Sequence, residues 1–192
     1  MRYDKGRKDD TRRHILDVAS AQFRESGIAA VGLAGIMSAA GLTNGAFYTH
    51  FASKEELVRE VLTEALTRRE ERHKANLENG VAIETTIREY LSTRHRDNAG
   101  TGCPTAALAA EIARRPKATR NAFTTKMSDV IALMAEQIPS GSPPDRRRKA
   151  ITIYATMVGA LQLARAVDDK QLSDEILENA VKAAVALAGA QR

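Results

Sequence analysis

The sequence predicts an all-α protein, and three observations carry that prediction. Trp is absent and aromatic residues make up only 4% of the chain, while Ala, Leu, Ile, Glu, Lys and Arg recur throughout, a composition that favours helix over sheet. Apolar residues return every three or four positions over long stretches, which is the helical period. Glycine and proline punctuate those stretches near their ends. With 192 residues, 43% of them apolar, the chain can bury the core of one or two helical domains.

The elements follow in chain order. Residues 1 to 8 read as a polar arm carrying Arg2, Lys5, Arg7 and Lys8, where fraying is expected. From about Asp10 the residues Ile15, Ala19 and Phe23 recur every four positions until Gly27 stops a first helix. A short second helix fits Leu33 to Ala40, with Gly32 as N-cap and Gly41 as its end. A third runs from about Thr43 to Phe51, capped by Thr43, with Phe47 and Phe51 one turn apart on one side. Ser53 and Glu56 form a capping box that opens a long fourth helix carrying Leu57, Val58, Val61, Leu62 and Leu66.

Asn79-Gly80 breaks the pattern, which resumes through Ile83, Ile87 and Leu91. Residues 98–102 read as a loop, and Pro104 stands at the first position of the next helix, which stops before Pro116. Another helix covers Lys117 to Gln137, and the connector PSGSPP follows. Ser142 with Asp145 marks the start of a helix from about Pro143 to Val167, and a short acidic turn separates it from a last helix over Ser173 to Ala188. The reading gives about nine helices. Short helices first and long ones after divide the chain into an amino-terminal unit at 1–55 and a helical domain at 56–192.

Composition narrows the function. The net charge of +5 and pI near 9.5 permit an anionic partner such as nucleic acid without requiring one. Cys103 is the only cysteine, so no intramolecular disulfide and no paired-cysteine zinc site can form, which fits a reducing cytoplasm. His14, His50, His73 and His95 show no metal spacing, so neither metal nor cofactor is expected. The amino terminus leads into no apolar run, and no stretch approaches the ~18 apolar residues of a membrane span, so a cytoplasmic chain is expected. No Ser elbow, HExxH, phosphate-cradling glycine loop or carboxylate pair in an apolar segment is present, so no enzyme is expected. The basic run Arg146 to Lys149 reads as a solvated face.

The second and third helices, joined at Gly41, have the proportions of a helix-turn-helix. With Phe47 and Phe51 turned inward, Gly45, Ala46 and Thr49 face outward, flanked by Asn44, Tyr48 and His50. The outer face is small and polar, as close approach to a base edge requires. Thr43, Tyr48, His50 and Lys54 can donate to phosphates, whereas Asn44 and Thr49 are the candidates for base contact, Asn with adenine and Thr through its hydroxyl or its methyl group. The alternative is that Tyr48 and His50 only close a small core.

The residues Gly41, Leu42, Thr43, Gly45, Phe47, Tyr48, His50, Phe51, Lys54 and Leu57 resemble the DNA-binding motif of the tetracycline-repressor (TetR/AcrR) family, and the resemblance covers about residues 10 to 57. Asn44 stands where the family often has Lys, and Gly32 where it usually has Ser or Thr. The resemblance implies a ligand-responsive regulator, more often a repressor, that binds a near-palindromic operator as a dimer. It implies a homodimer through the last two helices, whose Ala- and Gly-rich segments around Gly159 and Ala184 allow close approach. It further implies a cavity for a small-molecule inducer, with Tyr90, His95, Phe123, Met127, Met134, Tyr154 and Met157 as candidate lining; the alternative for each is ordinary core.

Cys103 precedes Pro104 at a helix start, where the dipole favours thiolate, and Gly100 and Gly102 leave it open on this reading. The GCP segment is similar to that of family members that sense electrophiles or oxidants; the alternative is a buried, inert thiol. The rival to the whole reading is a helical small-molecule binder that does not bind DNA.

Overall fold

Residues 3–189 are described by the computed structural model of the chain, and among them the only regular structure is helical. The helices are α1 (Tyr3–Ser26), α2 (Leu33–Ala39), α3 (Asn44–Phe47), α4 (Lys54–Glu78), α5 (Ile83–Tyr90), α6 (Thr93–Asp97), α7 (Pro104–Ile112), α8 (Lys117–Gln137), α9 (Pro143–Ala166) and α10 (Lys170–Ala188), with a 3₁₀ turn at Ala99–Thr101. The chain divides into two units: residues up to Ala65 with Ala99–Phe123, and Leu66–Asn98 with Thr124 onward.

The first unit buries a continuous apolar core. Ile15, Ala19 and Phe23 of α1 meet Ile36 and Met37 of α2, Phe47, Phe51, and Leu57 and Val58 of α4, and Leu108 and Ile112 of α7 close the cluster. Two glycines shape its turns. Gly27 has φ +83°, and a Cβ there would stand 2.7 Å from Glu111 Oε1; Gly41, φ +68°, turns the chain between α2 and α3.

The second unit is organised by the packing of α9 against α10, with α5 on α10 and α6 on α9. Ala150, Ile153, Met157, Ala160, Leu161 and Ala164 of α9 and Leu177, Ala180, Ala184 and Ala188 of α10 are buried, the small side chains permitting close approach of the backbones.

Several elements depart from the sequence expectation. The arm expected to fray is helical from Tyr3, because no proline interrupts residues 3–26, and the Thr11 hydroxyl donates to the Arg7 carbonyl (2.8 Å) within it; Arg2 lies outside the described residues. α3 is a single turn: Thr49, His50 and Phe51 N–H groups bond back to Ala46 and Phe47, continuing the coil only as a turn. Thr43 precedes it without a side-chain cap bond.

α6 was not expected, although Ser92, whose oxygen accepts from His95 N–H (3.2 Å), is an ordinary cap signal. α10 begins at Lys170 and not at Ser173, because the Asp169 carboxylate accepts from Gln171 and Leu172 N–H groups (2.8 and 3.2 Å). Ala184 is buried within the monomer, so it does not belong to an outer helix surface, whereas a Cβ added at Gly159 meets nothing within 4 Å. The capping box is present in a shifted form, Ser53 Oγ accepting from Glu56 N–H (3.1 Å) and the Glu56 carboxylate from Ala52 N–H (2.5 Å).

Candidate functional site

The outer face of the helix-turn-helix is built from behind. Phe47 and Phe51 are buried and stacked with centroids 5.5 Å apart, and the Arg12 guanidinium lies 4.7 Å from the Phe51 ring centroid while pairing with Glu60. Tyr48 meets the edge of Phe47 at 5.2 Å, yet is 69% exposed. Thr43, Asn44, Gly45 and Thr49 are exposed, and Ala46 and His50 are half-buried. The structure thus gathers all eight candidate contact residues on or beside one turn.

Hydrogen bonding separates their chemistry. Thr49 Oγ1 donates to the Ala46 carbonyl (2.7 Å), which commits its proton. His50 Nδ1 has no hydrogen-bond partner; burial, then Lys8 and Arg12, holds its pKa below the usual histidine value. Lys54 Nζ donates to the Ile28 carbonyl (2.8 Å), so one of its three donors is already engaged. Desolvation and the neighbouring Arg115 lower its pKa, against the opposing pull of Glu111 and Glu55.

A clasp that the sequence reading missed holds this unit at the turn between α1 and α2. The Glu111 carboxylate accepts from Ile28 N–H (3.0 Å) and Ala29 N–H (2.8 Å). Arg115 pairs with Glu55 (3.4 Å), whose other oxygen accepts from the Thr119 hydroxyl (2.7 Å). Glu111 stands 83 positions from Ile28 in sequence, so no local pattern signals the contact.

Both halves of the chain match known families. Residues 15–61 match the model described as bacterial regulatory proteins, tetR family, and residues 80–179 match the C-terminal domain of transcriptional regulators like LmrA and YxaF. The chain belongs to the TetR family of transcriptional regulators. Among its TetR-family relatives, the transcriptional repressor NemR of Escherichia coli K12 is 25% identical over 190 residues, covering 93% of this chain and 94% of that protein. The regulator AcrR of Shigella flexneri is 43% identical over 60 residues, a match spanning 28% of its length. The reduced form of E. coli NemR superposes with TM-score 0.76 at 26% identity, over 91% of this chain and 95% of that one. A TetR regulator from Chloroflexus aurantiacus gives 0.76 at 25% identity, over 100% and 98%.

The candidate ligand-pocket residues of this TetR-family chain separate. Tyr90 and His95 meet edge to face at 4.6 Å; Met134, Tyr154 and Met157 are buried and Met127 half-buried in the second unit. Phe123 instead packs against the core of the first unit. Cys103 is the N-cap of α7, as the spacing predicts, but it is 0% exposed. The flanking glycines do not open it, because Gly100 and Gly102 are themselves buried and the Glu25 side chain lies over Gly100. Among the described residues no group of His, Cys, Asp or Glu could hold a metal ion, and no helix is long and apolar enough to cross a membrane.

Proposed function

We propose that this chain is a cytoplasmic, ligand-responsive repressor that binds a near-palindromic operator as a homodimer, with residues 1–55 as the DNA-reading part. The observation that supports it best is the bare, polar outer face at Asn44, Gly45 and Thr49, backed by the buried Phe47–Phe51 stack. Thr43, Tyr48, His50 and Lys54 hold phosphates, Gly45 and Ala46 allow close approach, Asn44 reads adenine, and Thr49 presents its methyl group to thymine. Homodimerisation through α9 and α10 is supported by their exposed Ile151, Leu163, Leu172 and Leu187, and places two recognition helices about 34–36 Å apart on successive major grooves.

Selection of genomic fragments on purified protein, followed by titration against salt, tests the reading. Tyr48→Phe, Lys54→Ala and His50→Ala weaken binding to all sequences, the loss of the Lys54 charge also lowering the salt slope by about 1, whereas Asn44→Ala changes which fragments are selected. Replacing thymine by uracil, which removes only the methyl group, weakens wild type at the Thr49 position and has no effect on Thr49→Ser. Unchanged binding in all these variants rejects the recognition turn. No salt-dependent DNA binding at all favours a helical small-molecule binder instead.

The inducer enters the second unit, where Tyr90, His95, Met127, Met134, Tyr154 and Met157 are its contacts. A second signal, modification of Cys103 by an electrophile, is favoured by the position of the thiol at the start of α7 and opposed by its burial. Stoichiometric alkylation that releases the operator from wild type but not from Cys103→Ser supports this second signal; wild type that stays bound after complete alkylation removes it.

A further inference from the structure

One side-chain cluster in the second unit is not what a packed apolar interior calls for. Leu66, Arg69 and His73 of α4 follow at spacings of three and four and so share a face; Ile83, Ile87 and Tyr90 do the same on α5 and are buried. The Arg69 guanidinium lies 4.7 Å from the Tyr90 ring centroid. His95 of α6 meets the edge of that ring, and its Nδ1 lies 2.6 Å from the Tyr90 carbonyl oxygen. His73, only 4% exposed, has a buried Nδ1 with no hydrogen-bond partner. Arg72, on the outer side, pairs with Glu89 at 2.5 Å.

A buried ring nitrogen without a partner is costly, and a leucine of similar size would avoid the cost. Burial and then the charges of Arg69 and Arg72 press His73 down to about 4. Burial presses His95 to about 4 as well, with Arg69, Arg165 and Arg72 adding to it against the Tyr90 carbonyl bond. The guanidinium charges that oppose an added proton favour an added anion, whereas burial opposes both. A carboxylate satisfies the orphan nitrogen by accepting from it, and gains a charge-assisted contact from the guanidinium. Leu66, Ile83 and Ile87 on these two helix faces are aliphatic and buried, beside the buried Thr86, whose hydroxyl accepts from Asn76 Nδ2 (3.3 Å), and the aliphatic residues suit an apolar body behind the acid group.

We propose that the α4–α5–α6 cluster takes the carboxylate of a small organic acid, with His73 Nδ1–H as donor and Arg69 as the charge that favours acid over neutral ligand. The proposal rests on the reading of the second unit as the ligand-sensing half, and it adds His73 and Arg69 to the residues that sense.

The test uses the full-length protein without DNA, titrated calorimetrically with hexanoate, benzoate and 4-phenylbutyrate and with the primary amide of each. At least one acid binds, its amide binds at least about tenfold more weakly, and His73→Leu weakens the acid by about the same factor. Arg69→Met, with folding of both variants followed by circular dichroism, is the second variant and narrows the difference between acid and amide. The proposal is overturned if acid and amide bind alike, if His73→Leu and Arg69→Met bind the acid as wild type does, or if no acid binds. Operator binding is measured on the same samples; a protein that holds its operator but fails these titrations loses the acid site alone, and one that never holds DNA loses the regulatory reading.

Discussion

The two units solve the same problem, burying apolar surface between helices, in opposite ways. The first hides its large aliphatic side chains in one cluster, with Ile15, Ile28, Ile36, Leu57 and Leu108 all essentially inaccessible, and among its described residues the one exposed large apolar side chain is Tyr48. The second keeps Ile151, Leu163, Leu172 and Leu187 at its surface and buries the ionisable His73 with Thr86 and Ser173, where the polar residues buried in the first are the hydroxyl-bearing Thr105 and Thr119. A closed hydrocarbon core fixes one geometry. On the proposed reading, the buried polar groups await a ligand and the exposed apolar residues a second copy.

The largest effect that tests this contrast is on stability. Phe23→Ala in the first unit removes a fully buried ring and lowers unfolding free energy by about 3–5 kcal/mol in urea titrations. His73→Leu, equally buried in the second unit, costs no more than about 1 kcal/mol or stabilises. Equal losses at the two positions would erase the distinction between a closed and an open interior.

Next in size is assembly. Leu163 is 58% exposed on α9, and Leu163→Glu is expected to give monomers in sedimentation equilibrium and to lower operator affinity by about 100-fold, the contribution of linked half-sites. Ala184→Glu should instead destabilise the fold itself, since that position is buried within the monomer. An operator-binding monomer of normal affinity would refute the outer-stripe reading.

The pH dependence is smaller and lies in the second unit. His73 and His95 fall from 6.5 to about 4 in the fold, so the unfolded chain binds their protons first. Their contribution to stability is complete above pH 6.5 and is lost as pH falls toward about 4. Thermal unfolding followed across that window should show the decline, and His73→Leu should reduce it. A decline unchanged in the variant would assign it to other groups.

The smallest change is expected at Cys103→Ser, within about 1 kcal/mol, because serine fits the cap that the thiol already occupies. Alkylation of wild type by N-ethylmaleimide should be slow, following opening around α7. Reaction as fast as that of a surface thiol would break the picture of a closed first unit.

What was legible in the sequence was local. Phe47 with Phe51, Ser53 with Glu56, and Pro104 each act within about one helical turn, and each appears where the spacing puts it. Asp169 was legible too but was read as turn filler, because an acid before Lys170 is equally at home in a loop. The Glu111 clasp, the company of Phe123 and the orphan nitrogen of His73 were not legible, because each depends on side chains brought together from distant helices. Amphipathic spacing says that Phe123 and His73 face inward, but not into which interior.

The first unit is not a continuous piece of chain. Its core includes Leu108 and Ile112, and Glu111 holds the α1–α2 turn from the same helix. For protein engineering this means that the reading head cannot be cut out as a cassette. A fusion that carries only residues 1–65 to a foreign sensor would leave Phe23 and Ile28 without part of their cover and two backbone N–H groups without their acceptor. A transplantable head needs α7 grafted beside it, by a linker that replaces residues 66–98 or by circular permutation.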